Sequence, residues 1–260
     1  MVLAATNLIT VVKFFIFVTY VQANIRGIDV NNPPYQTIPG RQYGYNQCGS
    51  QTSSDSKCQN LWIKNATDFC LFGPATFGGV SEQEREAVAY CTQSYHGARV
   101  IPPGTFTSVH FVYVQITGRG NFSKINVSPD TDGGEYGVCS ADALGNPIGG
   151  LVFGTDNQYE QWTEFLLSDE FCIRACKNGP DAWRECNHIY DEMACRWNIP
   201  GDYSPGFDSC EGERVNHPMG EYIFQNGSTY FWKQGENPVP PPGDPGKVEN
   251  CKEQVEFSFP

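Results

Sequence analysis

Positive charge is scarce in this sequence. Of its 260 residues only 17 are lysine or arginine, against 29 aspartates and glutamates, for a formal net charge of -12. Without a basic cluster there is no counterion-release attraction to a phosphate backbone, which excludes nucleic acid as a partner. Charged residues of both signs reach only 18 %, below the roughly one quarter usual in soluble domains. Catalytic signatures are missing as well: no Gly-x-Ser-x-Gly elbow, no His-Glu-x-x-His, no phosphate-cradling loop and no dinucleotide fingerprint occur. No pair of carboxylates can be singled out for glycoside hydrolysis, and no Cys-x-x-Cys or His-rich cluster offers a metal site. The loop Asp130-Thr-Asp132-Gly-Gly-Glu135 lacks the later ligands of a calcium hand and reads as a solvated turn. His188, Asp191 and Glu192 read as a solvated helix face. The sequence thus predicts no catalytic residue, no cofactor and no metal.

Long apolar runs are confined to residues 1–23, where Lys13 is the single charge and Phe14-Phe15-Ile16-Phe17-Val18 forms a short apolar core. Val21-Gln22-Ala23 has the small-residue pattern of a cleavage point, so the segment reads as a secretory signal peptide cut after Ala23. The remaining chain is expected to be soluble, outside the membrane, and secreted to the exterior or the cell surface.

What is abundant agrees with that address. Eleven cysteines are present: Cys48, Cys58, Cys70, Cys91, Cys139, Cys172, Cys176, Cys186, Cys195, Cys210 and Cys251. In an oxidising compartment they are expected to form disulfides with one odd thiol. Asn-x-Ser/Thr sites stand at Asn65, Asn121, Asn126 and Asn226, and all four are expected to carry N-linked glycans.

The organisation follows from breakers and periodicity. Residues 24–57 are rich in Pro, Gly and polar residues and read as an extended N-terminal arm. Residues 58–236 form the cysteine-rich domain, and 237–260 a Pro-rich spacer with a C-terminal strand over Val255–Phe259. Within the domain, Ser81 and Glu84 signal a helix over Glu82–Tyr90. Phe106–Thr117 and Asn121–Ser128 read as strands. Trp162, Phe165, Leu166 and Cys172-x3-Cys176 follow helical spacing, and Asp181 is expected to cap a second helix carrying Trp183, Cys186, Tyr190, Met193 and Trp197. Cys186 would staple this helical hairpin over 158–198, leaving Cys195 for a more distant partner such as Cys210. Asn226-Gly227 predicts a two-residue hairpin turn pairing Tyr222 with Phe231 and Phe224 with Thr229. The predicted fold class is α+β: a disulfide-stapled antiparallel β region over 97–155 and 218–234, a helical hairpin, and the extended arm. Trp162, Trp183 and Trp197 take core positions, which leaves Trp232 as the exposed aromatic suited to stacking on a sugar.

Several segments carry a family resemblance. They are Phe69-Cys-Leu-Phe-Gly-Pro74, Val88-Ala-Tyr-Cys-Thr92, Arg99-Val-Ile-Pro102, Val114-Gln-Ile-Thr-Gly118 and Gly145-Asn-Pro-Ile-Gly-Gly-Leu-Val152. Three more follow: Phe171-Cys-Ile-Arg-Ala-Cys176, Cys186-Asn-His-Ile-Tyr-Asp191 and Phe207-Asp-Ser-Cys210-Glu-Gly. Over residues 58–251 the chain resembles the secreted fungal glycoproteins of the macrophage activating glycoprotein type. The resemblance implies a secreted, cysteine-rich wall or surface protein of a fungus and no catalytic residue. Members commonly read His-Gly-Ala-Asp where this chain has Cys139-Ser-Ala-Asp142, which marks Cys139 as the odd thiol or an intermolecular bridge. Three functions follow in order: a non-enzymatic surface protein able to self-assemble into filaments through its terminal segments, a module binding cell-wall polysaccharide, and a polysaccharide hydrolase without a recognised motif.

Overall fold

Short runs of β-branched and aromatic residues, bounded by turns, set the architecture of the computed structural model, which describes residues 48–138, 145–213 and 218–254. The first strands are β1 (Asn60–Asn65), β2 (Asp68–Gly73), β3 (Val88–Cys91) and β4 (Arg99–Val100). Next come β5 (Phe106–Val112), β6 (Gln115–Gly120), β7 (Gly134–Gly137), β8 (Leu151–Phe153) and β9 (Gln158–Tyr159). The chain continues through β10 (Gln161–Leu166), β11 (Glu170–Cys176) and β12 (Gly206–Gly212). It ends on β13 (Glu221–Ile223), β14 (Thr229–Phe231) and β15 (Val248–Glu253). Helices are one turn long: α1 (Val80–Gln83), α2 (Ala182–Glu185) and α3 (Ala194–Asn198).

The strands form a six-stranded sheet in the order β4-β3-β2-β1-β8-β9 and a seven-stranded sheet in the order β15-β12-β5-β6-β11-β10-β7, with β13-β14 as a separate hairpin. The two large sheets share one apolar core, as in a β-sandwich. Phe69 of β2 stacks on Phe171 of β11 with ring centroids 6.0 Å apart, and Phe72 meets Trp162 at 5.3 Å. Gly118 makes room for this contact, since a Cβ there would lie 2.2 Å from the Ser108 carbonyl oxygen and 2.6 Å from the Phe171 ring.

Several expectations are corrected. The fold is predominantly β rather than α+β, and the helical hairpin over 158–198 does not exist: residues 161–166 and 170–176 are paired antiparallel strands. Trp162, Leu166 and Phe165 are all buried because β10 has apolar contacts on both faces, so its two-residue alternation is invisible in the sequence. The expected helix over 82–90 shrinks to α1 and a 3-10 turn before the chain enters β3. Residues 121–128 hold a 3-10 turn at Phe122–Ile125, not a strand. The β region is also not purely antiparallel, because β1 pairs with β8, β3 with β4 and β5 with β12 in parallel.

The hairpin near Asn226 forms one residue out of the expected register, pairing Glu221 with Phe231, Tyr222 with Tyr230 and Ile223 with Thr229. The Gly227 N–H donates to the Phe224 carbonyl, and the Phe224 N–H to the Ser228 carbonyl. Gly227 takes φ +81°, so the connection is a three-residue loop closed by a glycine in the left-handed region, not a two-residue turn.

Five disulfides join the ten described cysteines: Cys48–Cys58, Cys70–Cys91, Cys172–Cys195, Cys176–Cys186 and Cys210–Cys251. The Cys195–Cys210 pairing considered from the sequence is therefore replaced. Cys172 and Cys176 do share a face, but it is that of a strand, where a spacing of four is even. Cys139, the signal segment, residues 24–47 and the strand expected over Val255–Phe259 lie outside the described residues.

Candidate functional site

Three of the four glycosylation sequons have the same local geometry. Asn65 Oδ1 accepts from the Thr67 N–H and hydroxyl, each at 2.8 Å. Asn121 Oδ1 accepts from the Ser123 N–H at 3.3 Å and its hydroxyl at 2.5 Å. Asn226 Oδ1 accepts from the Ser228 N–H at 3.0 Å and its hydroxyl at 2.7 Å. Each is an exposed Asx turn that engages the amide oxygen, and a glycan would attach at the nitrogen of the same side chain. Asn126 is built the other way. It sits at φ +71°, half-buried, and its Nδ2 donates toward the Ala75 carbonyl at 3.2 Å, the Pro74 carbonyl at 3.4 Å and the Tyr90 hydroxyl at 2.9 Å.

Trp232 is not an exposed sugar platform; it is 1 % exposed. Its indole packs against Tyr190 and Trp197 with ring centroids at 5.6 and 5.1 Å, and Nε1 donates to the Glu236 carbonyl. Elimination of the other tryptophans suggested its exposure; the chain leaves β14 at Phe231 and places Trp232 in this cluster. Trp183, assigned to the core from helical spacing, is 59 % exposed instead. Phe224 and Phe231 of the hairpin are exposed too. The Pro-rich spacer is docked on the same cluster, since Pro240 accepts from Trp197 Nε1 and Pro241 from the Tyr222 hydroxyl.

Buried acidic side chains occur where no motif announced them. Glu164 is fully buried in the inter-sheet core, with Oε2 accepting from the Phe72 N–H at 3.1 Å. Burial pushes its carboxyl well above the ordinary range, and the Phe72 hydrogen bond only partly opposes this. Glu135 is raised strongly as well, first by burial and then by Asp191 and Glu84 close by. His188, which belongs to no helix, is lowered by burial. In the six-stranded sheet the balance is reversed at Asp68: burial raises it, but hydrogen bonds from His96, Tyr95 and Lys64 together hold it down to about 2.

A buried polar layer lies on the seven-stranded sheet, on the face turned away from the inter-sheet core. Ser108 and His110 of β5, Thr117 of β6, and Cys172, Arg174 and Cys176 of β11 point to this outer face and are all buried. Alternation places their neighbours Val109, Ile116, Phe171, Ile173 and Ala175 in the inner core. Residues 177–204 cover the outer face, strapped by Cys172–Cys195 and Cys176–Cys186. Polar side chains of the sheet hold the cover down. Thr117 donates to the Asp202 carbonyl at 2.5 Å, Gln115 Nε2 to the Pro200 carbonyl at 3.0 Å, and His110 Nε2 to the Ser204 carbonyl at 2.9 Å. His110 Nδ1 lies 3.1 Å from Asp208 Oδ1, close but off the line of a hydrogen bond. Between cover and sheet is a cavity of about 420 Å3 whose lining includes His110, Thr117, Asp202, Asp208, Arg174 and Val112. No motif signalled it; the available sign was a charged residue between two cysteines at alternate positions of one strand.

Sheet order, straps and surface turns together define a disulfide-strapped β-sandwich protein. No family model matches the chain, and no solved structure does. Two curated fungal proteins are similar to it. Appressorium protein ROW1 of Mycosarcoma maydis is 47 % identical over 218 residues, covering 78 % of this chain and 50 % of the relative. Appressorium protein ROW2 of the same fungus is 40 % identical over 236 residues, covering 85 % of this chain and 79 % of the relative. The chain belongs to the fungal family of appressorium protein ROW2. It spans about half the length of ROW1. The fungal placement expected from the motifs holds, while these relatives carry appressorium names rather than the macrophage activating one. Among the described residues no helix is long and apolar enough to cross a membrane.

Proposed function

We propose that the protein is a secreted, N-glycosylated and non-enzymatic component of the fungal surface, acting as a structural element of the cell exterior during host contact. The observation that carries this reading is the set of five disulfides, which join every described cysteine. Such bonds persist in an oxidising exterior and are rare in reducing compartments. The three Asx-turn sequons and the appressorium names of the relatives support it further. Self-assembly through residues 24–46 and Val255–Phe259 is the finer part of this proposal, because apolar residues in terminal segments can add strands to the sheet edge of a neighbour.

A tagged copy expressed in a fungal host tests it. The expected result is protein in the culture medium or on the wall, shifted in mass by deglycosylation, with filaments visible by electron microscopy. Retention inside the cell as an unglycosylated, reduced chain overturns the reading. Monomers at high concentration overturn only its assembly part.

A further inference from the structure

Arg174 projects from the middle of β11 into the outer-face cavity and is 5 % exposed. Among the described residues its hydrogen-bond partners are all neutral. Nε and Nη2 donate to Gln115 Oε1 at 3.1 and 2.9 Å, while Nη1 reaches the Glu185 backbone carbonyl at 3.4 Å and Met219 Sδ at 3.3 Å. A guanidinium has five N–H groups, so among the described residues one on Nη2 is left without an acceptor.

Other arginines of the chain are treated differently. Arg184 pairs with Glu221 and Asp181, and Arg196 with Glu170, all nearer to solvent. Among the described residues no carboxylate forms an ion pair with Arg174. Burial pulls its guanidinium down to about 10, and Tyr203 and Glu185 offset this only in part. A buried charge without a counter-charge is costly, and proteins rarely keep one. This one is held rigidly, because Cys172 and Cys176 flank it on the same face and both are bridged to the covering segment. Gln115 fixes its orientation from β6.

The rest of the lining narrows the choice of ligand. Val112 and Pro200 offer apolar wall, while Asp202 and Asp208 bring carboxylates that accept from hydroxyl groups and repel a second negative charge. A volume of about 420 Å3 lies within the range of small-molecule sites. A guanidinium fork matches the two oxygens of a carboxylate. We propose that this cavity binds a hydroxylated monocarboxylate of sugar-acid size, with Arg174 taking the carboxylate and Asp202 and Asp208 its hydroxyls. The site does not depend on where the protein resides.

Calorimetric titration of the purified, oxidised full-length protein tests it with D-galacturonate, D-galactose and inorganic phosphate. Galacturonate and galactose differ at the group Arg174 would hold, and phosphate offers the charge without the sugar body. Galacturonate is expected to bind, with both controls weaker by at least about tenfold. Arg174→Gln should weaken galacturonate by about the same factor. Because that variant removes a buried group and can fail to fold, Val248→Trp on the exposed edge strand provides a second arm. It narrows the mouth of the cavity without touching Arg174 and should also weaken binding by about tenfold. No binding of galacturonate, equal binding of galactose or phosphate, or unchanged affinity in a folded variant overturns the proposal.

Discussion

The two faces of the seven-stranded sheet are held by different physics. The inner face is closed by hydrophobic burial: Phe171, Ile173, Ile116 and Trp162 have essentially no exposure and pack against the six-stranded sheet. The outer face carries Ser108, His110, Thr117 and Arg174, whose burial contributes little hydrophobic stabilisation. There the covering layer is held by two disulfides and by hydrogen bonds to the Pro200, Asp202 and Ser204 carbonyls. A face fixed covalently can hold a layer of polar groups around a cavity, whereas the packed face admits Glu164 only singly, against the Phe72 N–H. Function is therefore expected on the strapped face and tolerance of harsh conditions on the packed one.

The largest effect should come from breaking the packed face. Trp162→Ala removes a fully buried side chain from between the sheets and should destabilise by about 3–5 kcal/mol. Chemical denaturation should show this as a lower midpoint for the whole domain. Next in size is the strap: Cys172→Ser with Cys195→Ser should cost about 2–4 kcal/mol. Hydrogen exchange should rise over residues 190–204 while β2 and β11 stay protected. Equal loss of protection on both faces would show that the division is wrong.

The strand content of β10 and β11 was illegible because both strands are buried on both faces, so Trp162, Phe165 and Leu166 satisfy a helical period as well as a strand. Cys172 and Cys176 share a face under either reading. Asn226-Gly227 located the hairpin correctly but not its register, since the loop takes one residue more than the preferred turn. Cysteine content and the fungal resemblance could be read directly, being composition and local motif. Arg174 and Glu164 could not, because a buried charge acquires meaning only from distant neighbours such as Gln115 and Phe72.

Glu164 sharpens the comparison from the packed side. Its carboxyl is raised by burial, so the folded state prefers the neutral form. The associated stability is fully present below the unfolded carboxyl value of 4.5 and is lost as pH rises through the raised folded value. Glu164→Gln keeps an oxygen for the Phe72 N–H but cannot ionise. Thermal unfolding should therefore be nearly unchanged by the substitution at pH 4, and the variant should be the more stable protein at pH 8. A variant less stable than the parent at pH 8 would mean that the core stabilises the charged form.

The smallest expected effect is none, and it concerns which sequons are used. Attaching a sugar to Asn126 Nδ2 would place it against the Pro74 and Ala75 carbonyls and displace the hydrogen bond to the Tyr90 hydroxyl. That hydroxyl also donates to the Pro74 carbonyl and accepts from Arg99 Nη1, so a glycan there would disturb a buried network rather than a loop tip. Chains modified at Asn126 should fold poorly and be lost before secretion, leaving glycans at Asn65, Asn121 and Asn226. Ser128→Ala, which destroys the Asn126 sequon, should leave the glycan mass of the secreted protein unchanged. Thr67→Ala, Ser123→Ala and Ser228→Ala should each remove one glycan, since their hydroxyls hold the three exposed turns. Intact-mass measurement before and after deglycosylation checks this directly. A glycan found on Asn126 in folded, secreted protein would mean that the contacts around Pro74 and Tyr90 rearrange to admit it.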